Sequence, residues 1–228
     1  MLEQLSFFGM LIATFIVAKT SLRYPFQWME TFFHELSHGL AALFTFGWIS
    51  RIELSFNGAG VCWTRGGFRI PILLAGYLGA VTWGAFIYLA GWSLNTTGDV
   101  TLLYTLIGVL GFSIIFWVRN LTTLFIMLVM MLVFWIPTQF QGTDLPAYAI
   151  EFYGLYVAHS AVTAPLNLID GKHEGDGADL ADIFLILPEG VWIALWFVYA
   201  LAVLIWLWQV TTPAEFRILQ DVAYMPFI

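Results

Sequence analysis

Long apolar stretches separated by short polar breaks run through the whole chain. A helix that crosses a bilayer needs about 20 mostly apolar residues. Measured against that length, the pattern predicts an all-α polytopic membrane protein with six or seven transmembrane helices. The number depends on Arg119-Asn120, which either turns between two helices or breaks one long helix. The predicted spans cover residues 5–18, 26–47, 70–92, 100–118, 121–136, 146–169 and 191–208.

One segment alternates with a period of two residues instead. Apolar Ile52, Leu54 and Phe56 alternate with polar residues, and an Asn-Gly dipeptide follows them. Alternation on both sides of an Asn-Gly pair predicts a β-hairpin, here membrane-associated and at about residues 51–65. An edge strand can pair with an extended peptide, which makes Ile52, Leu54 and Phe56 candidate substrate-binding residues. The alternative is a surface hairpin with no substrate role.

Composition indicates a lipid environment. Of the 228 residues, 61% are hydrophobic and 10% are charged, and the mean hydropathy is +0.86. Soluble domains average about 45–50% apolar and about 25% charged residues. We therefore expect a single integral membrane domain over residues 1–228, in contact with the lipid bilayer. A net charge of −7 without a basic run argues against nucleic-acid binding, and the single cysteine, Cys62, excludes an intrachain disulfide.

The motif that carries chemistry is His34-Glu35-Leu36-Ser37-His38, set inside the second apolar segment. Residues i and i+4 share one face of a helix, so both imidazoles can reach one metal ion. The H-E-x-x-H spacing is typical of zinc peptidases, in which the glutamate accepts a proton from water. Histidines that only hydrogen-bond across a helix bundle are the alternative. The adjacent Glu35 favours the metal site, because ionisable residues in membrane segments are costly and typically functional.

A catalytic zinc site usually has three protein ligands and one open position, so a third ligand is expected from elsewhere in the chain. The acidic segment between the last two predicted spans, at about residues 170–187, is the obvious source. A solvated interhelical loop is the other interpretation of these carboxylates. Both interpretations apply within this segment, since only one of its side chains is needed as a ligand.

Three parts of the sequence resemble the site-2 protease family of intramembrane zinc metallopeptidases, and most closely its small bacterial-type branch without a PDZ domain. The first is the H-E-x-x-H motif with the glycine and strand-like residues that follow it. The second is Ala75-Gly76-Tyr77-Leu78-Gly79, and the third is the acidic segment leading into Pro188. The resemblance implies that His34 and His38 bind Zn²⁺ and that Glu35 is the general base.

The family's third ligand is an aspartate in an L-D-G motif, and two places in the chain are similar to family patterns. Ile169-Asp170-Gly171 resembles that motif, whereas Ala178-Asp179-Leu180 resembles the S-D-A element of the small branch. The resemblance favours Asp170 as the third ligand, with Asp179 as the alternative. His173 and Asp176 are less favoured candidates for the third ligand.

The resemblance implies a zinc metalloendopeptidase, in the bacterial cytoplasmic membrane, that hydrolyses peptide bonds of transmembrane or membrane-associated proteins. A substrate helix must unwind first, because a helical peptide bond is shielded. The rival is a non-catalytic metal-binding scaffold or chaperone, and the intact Glu35 argues against it. A transporter with a metal in its path is disfavoured by the lack of paired half-repeats.

Overall fold

The computed structural model describes residues 2–94, 100–169 and 171–211. This part of the chain is mostly helical and contains one two-stranded antiparallel sheet, as the sequence predicts. In chain order its elements are α1 (Leu2–Ala18), α2 (Arg23–Phe44), β1 (Trp48–Leu54), β2 (Gly60–Arg65), α3 (Arg69–Leu94), α4 (Thr101–Trp117), α5 (Leu121–Thr138), α6 (Leu145–Thr163), a short 3-10 helix (Ala164–Leu168), α7 (Asp176–Ile183) and α8 (Glu189–Thr211).

Fewer helices than predicted have the length and composition of a membrane span. Within the described residues three qualify, namely α3, α5 and α8, and a fourth is possible if α1 and α2 form one span bent by 102°. By length and composition, the described residues therefore contain three or four candidate spans, fewer than the six or seven predicted. The helix α4 is apolar but only 17 residues long. The helix α6 carries polar groups such as Glu151 and His159, both of which are buried inside the protein.

The helix α2 has two chemically different faces. Apolar side chains such as Phe32 and Phe33 join the main core, to which α5 and α6 also contribute. Polar side chains, among them Glu30, His34 and Glu35, line a cavity that the hairpin and α3 also border. Because protein rather than lipid surrounds these ionisable groups, α2 can carry them within an apolar bundle.

The predicted hairpin is confirmed and extends back to Trp48. Its strands are antiparallel, with Ile52 opposite Cys62 and Leu54 opposite Gly60. At the turn Gly58 has φ of 89°, a conformation that only glycine adopts readily. The Asn-Gly signal therefore marks a turn with a real backbone requirement.

The two strands face different surroundings. Ile52 and Leu54 of β1 are 0% and 2% exposed and belong to the main core. The Thr123 hydroxyl of α5 accepts a hydrogen bond from the Leu54 N–H at 2.8 Å and donates one to the Leu54 carbonyl at 3.3 Å. The outer edge of β1 thus has a partner, whereas β2 borders the cavity.

The predicted acidic loop contains the helix α7, which begins at Asp176. Leu180 of α7 is fully buried against Trp192 and Trp196 of α8 and Leu73 of α3. This packing places the first residue of α7 near α2 and α3.

Candidate metal centre

Three side chains from two distant parts of the chain converge on one point. His34 and His38 lie one turn apart on α2, and their Nε2 atoms are 3.0 Å from each other. One carboxylate oxygen of Asp176, Oδ2, lies 3.3 Å from the His34 Nε2 atom and 3.2 Å from the His38 Nε2 atom. These residues form the one group of three or more potential ligands found within the described residues.

The spacing of these atoms fits a tetrahedral metal ion. Zinc binds histidine nitrogen and carboxylate oxygen at about 2.0–2.2 Å, which puts tetrahedral ligand atoms about 3.3 Å apart. The Nδ1–H of His38 donates to the Ile72 carbonyl at 2.6 Å, because a carbonyl can only accept. This bond leaves the Nε2 lone pair of His38 directed at the site, which is the usual arrangement of a metal-bound histidine.

The backbone of α3 leaves open the space beside the two imidazoles. Gly76 faces them, and a Cβ atom at this position would lie 2.5 Å from the His38 Nε2 atom and 2.6 Å from the His34 Nε2 atom. Next along α3, the ring of Tyr77 packs edge-on against His34, with centroids 4.5 Å apart. The ring of Tyr77 in turn packs against that of Trp196, with the ring centroids 4.7 Å apart. These contacts hold the His34 ring in place.

The carboxyl group of Asp176 is ionised in this setting. Burial raises its pKa, but the interactions with the adjacent His34 and His38 side chains outweigh that effect and hold the pKa well below its usual range. An ionised carboxylate and two imidazoles make a donor set that suits zinc.

The fourth member of the site is Glu35, which is 6% exposed. Its carboxylate lies near the backbone N–H of Cys62 in β2. The strand can approach this closely at Gly60, where a Cβ atom would lie 2.8 Å from the Glu35 Cγ atom. The carboxylate therefore lies between His34 and His38 and the edge of the hairpin.

All four groups line one cavity of about 1010 Å³. Its walls come from α2, the hairpin, α3, the start of α7 and the residues just before it. Polar side chains and backbone of the strand β2 meet apolar residues such as Leu73 and Leu168 there. The cavity is large enough for several residues of an extended peptide together with water.

The candidate third ligands named from the sequence have different partners in the structure. Asp176 joins the histidines, whereas the carboxylate of Asp179 pairs with Arg69 at 2.8 Å. His173 lies between Asp182 at 3.3 Å and Glu189 at 3.1 Å. Asp170, which the sequence favoured, lies outside the described residues.

The candidate substrate-binding residues Ile52, Leu54 and Phe56 also lie away from the cavity lining. Ile52 and Leu54 are core residues, and Phe56 packs near Trp28 and Phe125. Residues that border the cavity but received no role from the sequence include Glu30 and Tyr77. The sequence signals that could have identified them are that Glu30 lies on the same helix as the H-E-x-x-H motif and that Tyr77 follows Gly76.

Fold and site together define a helical membrane protein with a candidate metal centre of the H-E-x-x-H type. The chain belongs to the Peptidase M50B-like family, whose model matches residues 7–207. The predicted membership of the site-2 protease family is thereby confirmed, and the matched range includes every residue of the centre. No curated protein and no solved structure matches the chain.

Proposed function

We propose that the protein is an intramembrane zinc endopeptidase that cleaves transmembrane or membrane-associated proteins. The observation that carries this proposal is the convergence of His34, His38 and Asp176 beside Glu35, in a cavity bordered by a strand edge. Family membership supports a peptidase. The bacterial cytoplasmic membrane is the expected location, from the resemblance to the bacterial-type branch.

Zinc would be held by the Nε2 atoms of His34 and His38 and by a carboxylate oxygen of Asp176. When bound it would supply Lewis-acid polarisation of the peptide carbonyl and a lower pKa for water in the site. The choice of Asp176 over Asp170 and Asp179 rests on the distances of 3.2 and 3.3 Å to the two histidines. Asp179 has its own partner in Arg69.

Glu35 is the proposed general base. Its carboxylate takes a proton from the attacking water and later delivers it to the nitrogen of the leaving amine. The peptide C–N bond breaks, and the water oxygen remains in the new carboxyl group. Buried beside the histidines and facing the cavity, Glu35 is positioned for both transfers.

The strand β2 is the proposed docking edge for the unwound substrate. In an antiparallel pair, outward-pointing backbone groups belong to alternate residue pairs. The Leu54 N–H and carbonyl point outward to Thr123, so its partner Gly60 and the next alternate residue, Cys62, direct their backbone groups to the outer edge of β2. The Cys62 N–H at this edge lies near the Glu35 carboxylate, which leaves the Gly60 N–H and the two carbonyls for an added strand. This edge borders the cavity, where an added strand would lie beside Glu35.

The proposal is tested with purified protein in detergent. Zinc content is measured first, and cleavage of a library of internally quenched apolar peptides is then compared between the wild type and Glu35→Gln. We expect cleavage by the wild type alone and equal zinc in both proteins. Zinc binding without cleavage of any peptide, or of membrane proteins in proteoliposomes, would support the scaffold instead.

A further inference from the structure

Glu30 is a buried carboxylate that neither the metal centre nor the proton transfers require. It is 7% exposed, lies on α2 one turn before His34, and borders the same cavity. Among the described residues no hydrogen-bond donor or ion-pair partner reaches it, although His34 and Glu35 are close enough to interact electrostatically. A buried carboxylate without a partner is costly unless a molecule that enters the cavity supplies a hydrogen-bond donor or a cation.

The charges around the cavity leave Glu30 uncompensated. Arg69 is the one lysine or arginine in the described lining, and its guanidinium pairs with Asp179 at 2.8 Å. A divalent ion in the proposed site would be balanced by the carboxylates of Asp176 and Glu35. Glu30 would then be left without a counter-charge among the described residues, and a cation entering the cavity would favour the ionised form of its carboxylate.

The path of the proposed substrate strand passes Glu30. The Thr31 hydroxyl donates to the Gly58 carbonyl at 2.7 Å, Gly60 lies against Thr31 and Glu35, and Cys62 lies near Glu35. The hairpin from Gly58 to Cys62 therefore runs along α2 in the same direction as the helix. A strand that pairs with β2 therefore also runs along α2 and passes both His34 and Glu30.

The spacing along that strand matches the spacing along the helix. Cβ atoms at i and i+4 of a helix lie about 5–6 Å apart, which applies to Glu30 and His34. Residues i and i+2 of a strand lie about 6.6 Å apart and point to the same side. A side chain two residues from the scissile bond would thus reach Glu30 when the peptide carbonyl lies at the metal centre.

We propose that Glu30 forms a subsite for a cationic group of the substrate, two residues from the cleaved bond. The group is an ammonium or guanidinium, carried either by a lysine or arginine side chain or by a free amino terminus. This inference rests on the proposed function and adds a specificity to it. A mostly apolar segment with one basic residue near the cleavage site would be the preferred substrate.

The test uses peptide hydroxamates, because a hydroxamate binds a metal ion and so fixes the register of the peptide. Apolar hydroxamates extending in either chain direction carry lysine or uncharged norleucine two residues from the hydroxamate, and each is made with a free or an acetylated amino terminus. Their Kd values are measured for the zinc-loaded wild type and for Glu30→Gln. Glu53→Gln, which removes the same charge from a partly exposed residue outside the cavity lining, is the matched control.

We expect lysine to bind about tenfold or more tightly than norleucine in the wild type and in Glu53→Gln, and equally in Glu30→Gln. Zinc content should stay the same in all three proteins. If lysine and norleucine bind equally but a free amino terminus binds more tightly than an acetylated one in the wild type and not in Glu30→Gln, the α-amino group is the ligand and the subsite stands.

Two results would overturn the subsite while leaving the endopeptidase intact. In one, hydroxamates bind but show no preference for a cation. In the other, Glu30→Gln loses zinc and weakens every hydroxamate equally, which would make Glu30 a support for His34. Failure of all hydroxamates to bind the zinc-loaded wild type would instead remove the proposed function, and the subsite with it.

Discussion

Gly76→Ala should destroy the metal centre without changing any ligand. The added methyl carbon would lie 2.5 Å from the His38 Nε2 atom and 2.6 Å from the His34 Nε2 atom. Ordinary contact between such atoms begins near 3.4 Å, so the distance from the new methyl carbon must grow by about 0.9 Å for His38 and about 0.8 Å for His34. Metal sites tolerate about 0.2 Å of deviation in ligand distance. We therefore expect zinc affinity to fall by more than the roughly 10–100-fold that loss of a supporting group causes.

The matched control is Gly79→Ala, one turn further along the same helix. A Cβ atom there would overlap the side chain of Ser37, which is not a ligand and whose hydroxyl donates to the Phe33 carbonyl at 2.6 Å. Overpacking of this kind costs about 1–3 kcal/mol of stability, and both variants should be destabilised in that range. Only Gly76→Ala should lose zinc.

The assay is zinc stoichiometry by elemental analysis, followed by competition with a chelator of known affinity, for the wild type and both variants. Thermal unfolding in detergent measures the stability cost separately. Wild-type zinc affinity in Gly76→Ala would refute the geometry of the centre. Equal zinc loss in both variants would mean that general disruption of the α2–α3 packing is responsible.

Three further predictions use other groups of the site. Asp176→Ala should lose zinc, whereas Asp179→Ala should keep it. The Asp179 substitution should lower the free energy of unfolding by at most about 1 kcal/mol, because the partner of Asp179 is an exposed arginine. Zinc retained by Asp176→Ala and lost by Asp170→Ala would restore the assignment favoured by the sequence. Glu35→Gln should keep zinc and stop peptide cleavage, since an amide cannot accept the proton, and near-normal turnover would exclude Glu35 as the base. Burial, together with the nearby Glu35 carboxylate, raises the pKa of the Cys62 thiol to about 12. Because iodoacetamide reacts with the thiolate, it should label the native protein at pH 8 far more slowly than the denatured protein. Equal labelling rates would show that β2 does not pack as described.

The features that sequence predicts well here are local ones. Two histidines at i and i+4 must share a helix face, whatever the rest of the fold does. The hairpin is equally local, because alternation and an Asn-Gly turn fix its register within a few residues. Which edge of the hairpin is open is not local: it depends on Thr123 of α5, which bonds to Leu54 from a distant part of the chain. The sequence therefore favoured β1 as the docking strand, and the proposal moves it to β2.

The described residues contain fewer candidate membrane spans than predicted, and here too local pattern is not enough. Apolar length alone does not distinguish a helix in contact with lipid from one packed inside a bundle. The helix α6 is buried along most of its length and can carry Glu151 and His159 because neighbouring helices cover them. The 102° bend between α1 and α2 likewise lies in a short polar break that resembles any other interhelical turn.

The third ligand shows where motif matching and geometry diverge. Asp170 and Asp179 match family patterns, yet among the described carboxylates Asp176 is the one that reaches the histidines. It does so because α7 docks on α8 and α3 through Leu180 and the tryptophans, a packing that no local pattern in the acidic segment encodes.

If Asp176 is the third ligand, docking of α7 and metal binding are thermodynamically linked. The helix is only eight residues long, and short helices depend on packing and bound partners for their order. Besides its apolar contacts, α7 has the pair of Asp179 with Arg69, and His173 connects its Asp182 to Glu189 of α8. Hydrogen bonds with Asp182 and Glu189 raise the pKa of His173, so this contribution is complete below the ordinary histidine pKa and is lost as pH rises through the raised value. Zinc, which binds only the docked arrangement with all three ligands, must therefore stabilise docking by the same free energy by which docking strengthens zinc binding.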